Sequence, residues 1–529
     1  MKFLSEASGR RLYYTINLVA GLAIFFFGYD QGMMGGVNTS PDYVRVMKLG
    51  YSTYEGPSEG YVVTITEPTR QGGIVSIYYF GTLLGCLMGG VLGDRYGSIW
   101  VLIGATLQCS AQNIAWMLCA RVVNGIGTGY LNAIVPVWSA EVASHTSRGA
   151  FIASEFTLNI FGVVVAYWLE FALGYVGDGT TQVRWRFPIA FQIVPVLAFM
   201  NQSPRWLMKM GRVEEARTIL GRLRSETGNV EDAGVIAEYE EIVVAVELEK
   251  EHAAGNSYLA MFLGWHDSDL HVARRVQLSI WLQIVQEWCG IAAITVYAPT
   301  IFAEAGYGAR KSQWLSGLND ITYCLSTLLA VVTIDRLGRR IGLWWGAVGQ
   351  GTSLILAGAF SRLLKDHPEK ATEYGGAAAL FVFTYTAIFG ATWLTIPWVY
   401  PTETFPLYVR AKGNAWGVVG WSIGNGWLTL LNPVMFSSIS ENTLHVFGAI
   451  NFLTIPMIWA FYPETANRTL EEMDHLFMSE SPFVWEEEAY FRKWKEEGEP
   501  SVANKGAIKQ QPEEIDIKVD ESRKEKEAS

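Results

Sequence analysis

Long apolar stretches recur along this chain, and its charged residues are almost confined to the gaps between them. A bilayer-spanning helix needs roughly 17–25 mostly apolar residues. Twelve stretches are candidates by that rule: 13–36, 72–92, 98–112, 114–138, 151–174, 186–200, 273–302, 314–334, 340–362, 376–400, 412–436 and 442–462. Of the 529 residues, 50% are hydrophobic and 17% charged, a balance outside the usual range of soluble domains. The expectation is an all-α polytopic membrane protein with twelve transmembrane helices. Two of them are unusually short, because only about 13 apolar residues run from Ile99 to Ala111 and about 14 from Phe187 to Met200.

Two charged signatures occur twice. Asp94-Arg95-Tyr96-Gly97 and Asp335-Arg336-Leu337-Gly338 each follow an apolar run, and Glu141 to Arg148 has the spacing of Glu403 to Arg410. Duplicated polar signatures between spans point to a solute carrier built from two repeated halves. The expected organisation is a six-helix half over 1–202, a helical linker over 203–272, a second six-helix half over 273–464 and a charged tail over 465–529. Within the linker, Val213 to Arg224 reads as helix. Arg10, Arg11, Arg95, Arg148, Arg205, Arg336, Arg339 and Arg410 all fall on the face shared by the termini, which makes that face cytoplasmic.

The net charge of −11 says little about partners, since 14 acids against 9 bases after Ser479 place −5 in the tail. That tail, rich in Lys and Glu, is expected to be largely disordered. All five cysteines lie in apolar runs and read as small hydrophobes. The seven histidines lie almost wholly outside the runs, with no metal-ligand spacing and no nucleophile signature, which excludes an enzyme reading. Gly125-Ile126-Gly127-Thr128-Gly129 lies inside an apolar stretch with no preceding strand, so it is not a nucleotide loop. Gly81, Gly85, Gly89 and Gly93 form a stripe that would let another helix approach closely. The first outer loop carries the sequon Asn38-Thr39-Ser40. No cofactor, metal or nucleic acid is expected.

At its ordered motifs the chain resembles the sugar porter family of the major facilitator superfamily. The resemblance covers about residues 10 to 478. It runs through Phe27-Gly28-Tyr29-Asp30, Gly93 to Gly97, Arg121 with Gly125, Gly127 and Gly129, Pro136 to Arg148, and Ser203-Pro204-Arg205-Trp206-Leu207. In the second half it continues through Gln286 to Phe302, Asp335 to Arg340, Pro397-Trp398, Glu403 to Arg410 and Tyr462-Pro463-Glu464-Thr465. Ala166-Tyr167-Trp168 and Trp185-Arg186-Phe187-Pro188 are similar to the fungal sugar and polyol proton symporters. The resemblance implies a multi-pass protein of the plasma membrane, monomeric function in the lipid bilayer, and a small polar solute and a proton as partners.

Asp30 lies inside the first stretch, where an unpaired carboxylate costs about 2.5–3.5 kcal/mol on insertion scales. It needs a partner or a proton, and Arg121 stands at matching depth in the fourth. The resemblance implies Asp30 as the proton site and Arg121 as its tuner; the alternative is a permanent buried salt bridge. Arg95, Glu141, Arg148, Arg336, Arg339, Glu403 and Arg410 would form a cytoplasmic gate, pairing across the halves when that side is shut. A polyhydroxyl solute calls for groups that both donate and accept, plus an aromatic face. By family position, Gln286, Tyr297, Trp398 and Asn425 fit that need.

The chain departs from the family pattern at several of these points. Glu287 stands where a second glutamine is usual, Ala292 where asparagine is, and Phe156, preceded by Glu155, where hexose carriers have glutamine. Ser98-Ile99 replaces a basic pair. Lost amides and gained acids put an ordinary glucose site in doubt and leave room for a polyol, with Glu155 and Glu287 either in the solute site or a second ionisable pair. The leading reading is proton-coupled symport of a sugar or polyol by alternating access. The alternatives are a sensor of the same fold without net transport, a passive facilitator, and a chain too shortened at its third and sixth spans to work.

Overall fold

The computed structural model describes residues 9–56, 60–142, 148–196, 213–224, parts of 229–247, 257–265, 270–406 and 408–496. Helices dominate them. The first segment forms α1 (Gly9–Val37), a short α2 (Pro41–Val46), α3 (Pro68–Cys109), α4 (Ile114–Val142), α5 (Arg148–Leu173), α6 (Val183–Phe191) and α7 (Ile193–Val196). Two short helices follow, α8 (Val213–Arg224), as the sequence predicts, and α9 (Tyr258–Leu263). The last segment holds α10 (Val272–Gln286), α11 (Ala292–Glu304), α12 (Ala309–Leu337), α13 (Arg339–Asp366), α14 (Ala371–Ala391), α15 (Ile396–Thr404), α16 (Arg410–Ile439), α17 (Asn442–Phe461), α18 (Leu470–Phe477) and α19 (Val484–Glu496).

Among the described residues six stretches are long and apolar enough to cross a membrane: Pro68–Met88, Ala153–Leu173, Val272–Glu304, Ala309–Leu337, Pro368–Thr404 and Asn442–Phe461. Helices α1, α4, α13 and α16, of 29, 29, 28 and 30 residues, match them in length.

The second and third apolar stretches belong to one helical run, α3, instead of two helices parted by a loop. That run is not a straight rod. A Cβ on Gly81 would lie 3.0 Å from Gly125 Cα, and one on Gly104 would lie 2.5 Å from Asn124 Cα. Twenty-three residues of straight helix span ~34 Å, so the run folds back to bring Gly81 and Gly104 to one turn of α4.

The glycine stripe does what its spacing predicts at Gly81 and Gly85. A Cβ there would meet the carbonyl oxygens of Val122 at 2.4 Å and Ile126 at 2.0 Å. From the other side, Gly125 and Gly129 press on the carbonyls of Tyr78 and Thr82. Helices α3 and α4 therefore touch backbone to backbone. Gly28 and Gly162 do the same for α1 and α5.

Three features depart from expectation. Part of the first outer loop is a hairpin, β1 (Gly50–Tyr54) paired antiparallel with β2 (Tyr61–Ile65), Tyr54 opposite Tyr61; its Tyr, Thr and Val residues favour extended backbone. Asn38 of the sequon is 6% exposed, so a glycan on it is incompatible with this packing. The tail is folded through Glu496, so the disorder expected after Ser479 does not begin there. Thr469 and Glu472 make a capping box for α18, and Val484, Glu487 and Phe491 form one buried face of α19. Glu487 pairs with Arg274, Asp474 with Arg275 at 2.6 Å, and Trp485 packs on Trp459. Residues 497–529 lie outside the described residues.

Candidate functional site

Two broken helices build the site. Helix α10 ends in a π turn over Glu287–Ile291, where Gly290 has φ +112°, a conformation a side chain would strain. The break frees the Cys289 carbonyl, which accepts from Tyr385 Oη at 3.2 Å and Asn451 Nδ2 at 2.9 Å. A freed backbone group inside a membrane needs such a partner. Opposite, the chain turns over Thr392–Thr395 between α14 and α15. Gln286 stitches the breaks together, its Nε2 donating to the carbonyls of Trp393 at 2.7 Å and Leu394 at 3.0 Å. Its Oε1 has no hydrogen-bond partner among the described residues.

Beside this stitch lies a cavity of about 40 Å³. Gln286, Glu287 and Asn425 line it from the late helices, and Gln31 and Asn159 from α1 and α5. Aromatic rings close it. Trp398 lies 5.3 Å from Phe156, 6.1 Å from Trp421 and 6.4 Å from Phe27, centroid to centroid. Amides and a carboxylate on one side with ring faces on another are the complement of a polyhydroxyl molecule.

Four of the six residues assigned to solute therefore meet: Gln286, Glu287, Trp398 and Asn425. Tyr297 is elsewhere, in the wall of a larger cavity of about 320 Å³ that also touches Asn38, Val63 and Ile65. Its hydroxyl donates to the Thr429 carbonyl at 3.1 Å. Val296, its neighbour in the chain, lines both cavities. Glu155 is buried next to Phe156 but is not part of the lining. Sequence reading passed over Phe27, Gln31, Asn159, Tyr79 and Trp421. Asn159 carried a signal, an amide in an apolar run, and Phe27 lies one helical turn before Asp30.

Asp30 and Arg121 do meet. Asp30 Oδ1 is 3.8 Å from Arg121 Nη1, with both side chains buried. Asn124 Nδ2 reaches the same oxygen at 3.4 Å, and Arg121 reaches Gln108 Oε1 at 3.4 Å. The Arg121 guanidinium sits 4.6 Å above the Tyr78 ring, a cation–π distance. Tyr78 packs on Tyr79 at 5.2 Å, and Tyr79 on Trp421 at 5.2 Å. An aromatic column thus runs from the ion pair to the cavity wall.

Charged groups at the opposite ends of the late helices form a second cluster. Arg339 grips Glu403 with two bonds of 2.6 and 3.2 Å and Asp335 with one of 2.9 Å. Thr465 donates to Glu403 at 2.6 Å, and Glu464 accepts the backbone amides of Arg339 and Arg340. Gly338, at φ +85°, gives Glu464 room, since a Cβ there would lie 2.5 Å from its Oε2. Arg339 and Glu403 thus pair with one another within the second half, binding α13 to α15 and to the segment after α17. Arg336 is exposed, and Arg410 Nε donates to the Phe405 carbonyl at 3.4 Å. The side chains of Arg95, Glu141 and Arg148 lie outside the described residues.

Residues 16–477 match the family model of sugar (and other) transporters. The chain belongs to that sugar transporter family. Its relatives there are transporters, not enzymes, and the similar proteins include fungal ones, as the motifs imply. It is 32% identical over 500 residues to the sugar transporter STL1 of Saccharomyces cerevisiae, covering 90% of this chain and 84% of that one. It is 30% identical over 490 residues to the MFS-type transporter oryC of Aspergillus oryzae, covering 90% and 87%. The fold of this sugar transporter family member is that of the proton:xylose symporter XylE bound to 6-bromo-6-deoxy-D-glucose, with a TM-score of 0.69, 23% identity, and coverage of 88% of this chain and 99% of that one.

Proposed function

We propose that this chain carries a sugar or polyol together with a proton across the plasma membrane by alternating access. The observation that carries this reading is the single cavity where Gln286, Glu287, Asn425 and Trp398 meet Phe27, Gln31 and Asn159. Residues 1–202 and 273–464 act as two six-helix halves with that cavity between them, and 203–272 links them. Twelve spans follow, with both termini cytoplasmic and a monomer in the bilayer as the working unit. The third and sixth spans are short, as the apolar runs from Ile99 to Ala111 and from Phe187 to Met200 suggest. Tilt or local thinning of the bilayer accommodates them.

Asp30 is the proton site and Arg121 tunes it, through the ion pair at 3.8 Å. Proton coupling also has support in the name of the fold neighbour, a proton:xylose symporter. Glu155, next to Phe156 in the chain, and Tyr297, in the wall of the larger cavity, act from the edges of the solute path. The cytoplasmic ends open and shut around Arg95, Glu141, Arg148, Arg336, Arg339, Glu403 and Arg410, with the Arg339–Glu403 cluster keeping the second half's end rigid.

The test is external alkalinisation by transporter-deficient cells expressing this chain, on addition of hexoses, pentoses or glycerol. Alkalinisation with one of them is the expected result. Uptake without alkalinisation would identify a facilitator, and binding without uptake would identify a sensor.

A further inference from the structure

The solute cavity is electrically lopsided. Glu287 contributes a carboxyl to its wall, and no Arg, Lys or His lines it among the described residues. The side chains of Asn425 and Trp421 share the cavity wall with that carboxyl, and both are neutral. The guanidinium of Arg121 is committed elsewhere, to Asp30, Gln108 and the Tyr78 ring, with Tyr79 and Trp421 standing between. Tyr323 and Phe389 close the wall on another side with a phenol and a ring. The Glu287 side chain is 5% exposed.

A carboxylate in so dry a place is costly unless it takes a proton or meets a positive charge. The protein brings no such charge to the cavity, but a bound molecule can. Gln286 Oε1, unpartnered among the described residues, remains to meet a hydroxyl, and Asn425, whose Nδ2 donates to the Trp421 carbonyl at 3.2 Å, lines the same cavity.

We propose that Glu287 is a charge selector: the cavity binds polyhydroxylated solutes bearing a protonated amine in preference to their neutral counterparts, and excludes those bearing a carboxylate. The ammonium group pairs with Glu287 while the hydroxyls meet Gln286 and Asn425 and the C–H face lies on Trp398. A solute carboxylate in the same position meets a like charge in a low-dielectric wall. This inference deepens the carrier reading and rests on it.

The experiment uses two matched sets of labelled solutes, serinol, glycerol and glycerate, and glucosamine, glucose and glucuronate, offered to cells displaying the full chain. In the set that fits, uptake at subsaturating concentration should rank amine above neutral above carboxylate. Glu287→Gln should lower the amine-to-neutral ratio on the order of tenfold, whatever happens to total uptake, while Glu287→Asp should keep the preference. A wild-type ranking with the neutral or the carboxylate member first overturns the proposal and leaves the carrier reading standing. So does an unchanged ratio in Glu287→Gln. No uptake of any of the six, with the protein at the surface, overturns both.

Discussion

Asp30 Oδ1 and Arg121 Nη1 stand 3.8 Å apart, longer than a good hydrogen bond, with both side chains sealed from solvent. A pair held at that separation is close enough to attract yet loose enough to part. Arg121 also has Gln108 and the Tyr78 ring to hold it when Asp30 is neutral.

Asp30→Asn should therefore leave the fold in place and abolish uphill accumulation, with downhill solute exchange retained. Accumulation ratios and counterflow in vesicles read this directly. Uphill accumulation surviving the change would remove Asp30 from the proton path.

Gln286→Ala should be severe for solute. It strips the Trp393 and Leu394 carbonyls of their donor in a dry site, at about 1–3 kcal/mol, and deletes the free Oε1. Uptake at low solute concentration should fall more than about tenfold, since each 1.4 kcal/mol is a factor of ten. A parallel melting curve separates lost binding from lost folding.

Arg339→Ala should act on stability. Breaking a buried pair costs about 3–5 kcal/mol, reduced here because Asp335 is 45% exposed. The purified protein should melt earlier. Equal melting of variant and wild type would mean the cluster holds nothing together.

Gly85→Val should block assembly of α3 on α4, because even a Cβ there would lie 2.0 Å from the Ile126 carbonyl. Backbone cannot yield as a flexible side chain can. Surface expression should be lost, whereas Gly73→Ala, where a Cβ meets nothing within 4 Å, should express normally.

Docking of the tail should depend on pH. Burial pushes the Glu487 carboxyl up to about 7 from its ordinary 4.5, against the pull of Arg274. An acid raised in the folded state contributes stability that is complete below 4.5 and is lost as pH rises through about 7. Amide exchange in 484–496 should be slower at about pH 5 than at about pH 8 after correction for intrinsic rates. Glu487→Gln should flatten that difference.

Much of this was legible in the residues themselves. The Gly81 and Gly85 stripe announced a close helix contact, Val213 to Arg224 announced a helix, and the ordered motifs announced the family. What escaped reading depended on distant partners. Nothing local to Gln286 says that its amide would bind the turn at Trp393 and Leu394. Phe156 reads as a lost hydrogen bond, yet its ring packs at a tilt on Trp398. The tail's net charge suggested disorder because composition averages over α19, whose Val484, Glu487 and Phe491 share one face. The fold-back within α3 shows in the sequence only as charged residues that interrupt the apolar run, although they do not interrupt its hydrogen bonding.

The bare contact of α3 with α4 has a mechanical side. Carbonyls set into glycine notches cannot slip past one another, so the two helices behave as a single lever. Against α16 the same helix α3 closes tightly at Gly72, where a Cβ would lie 2.6 Å from the Leu430 carbonyl oxygen, and farther along rests on lighter fittings, Thr82 Oγ1 to Ser422 Oγ at 2.8 Å and Ser76 Oγ to the Gly426 carbonyl at 2.7 Å. Hydroxyls can swing from one acceptor to the next as surfaces pass. The molecule thus has a stiff joint and a bearing on two sides of one helix, and whatever rocking it performs is steered to the bearing.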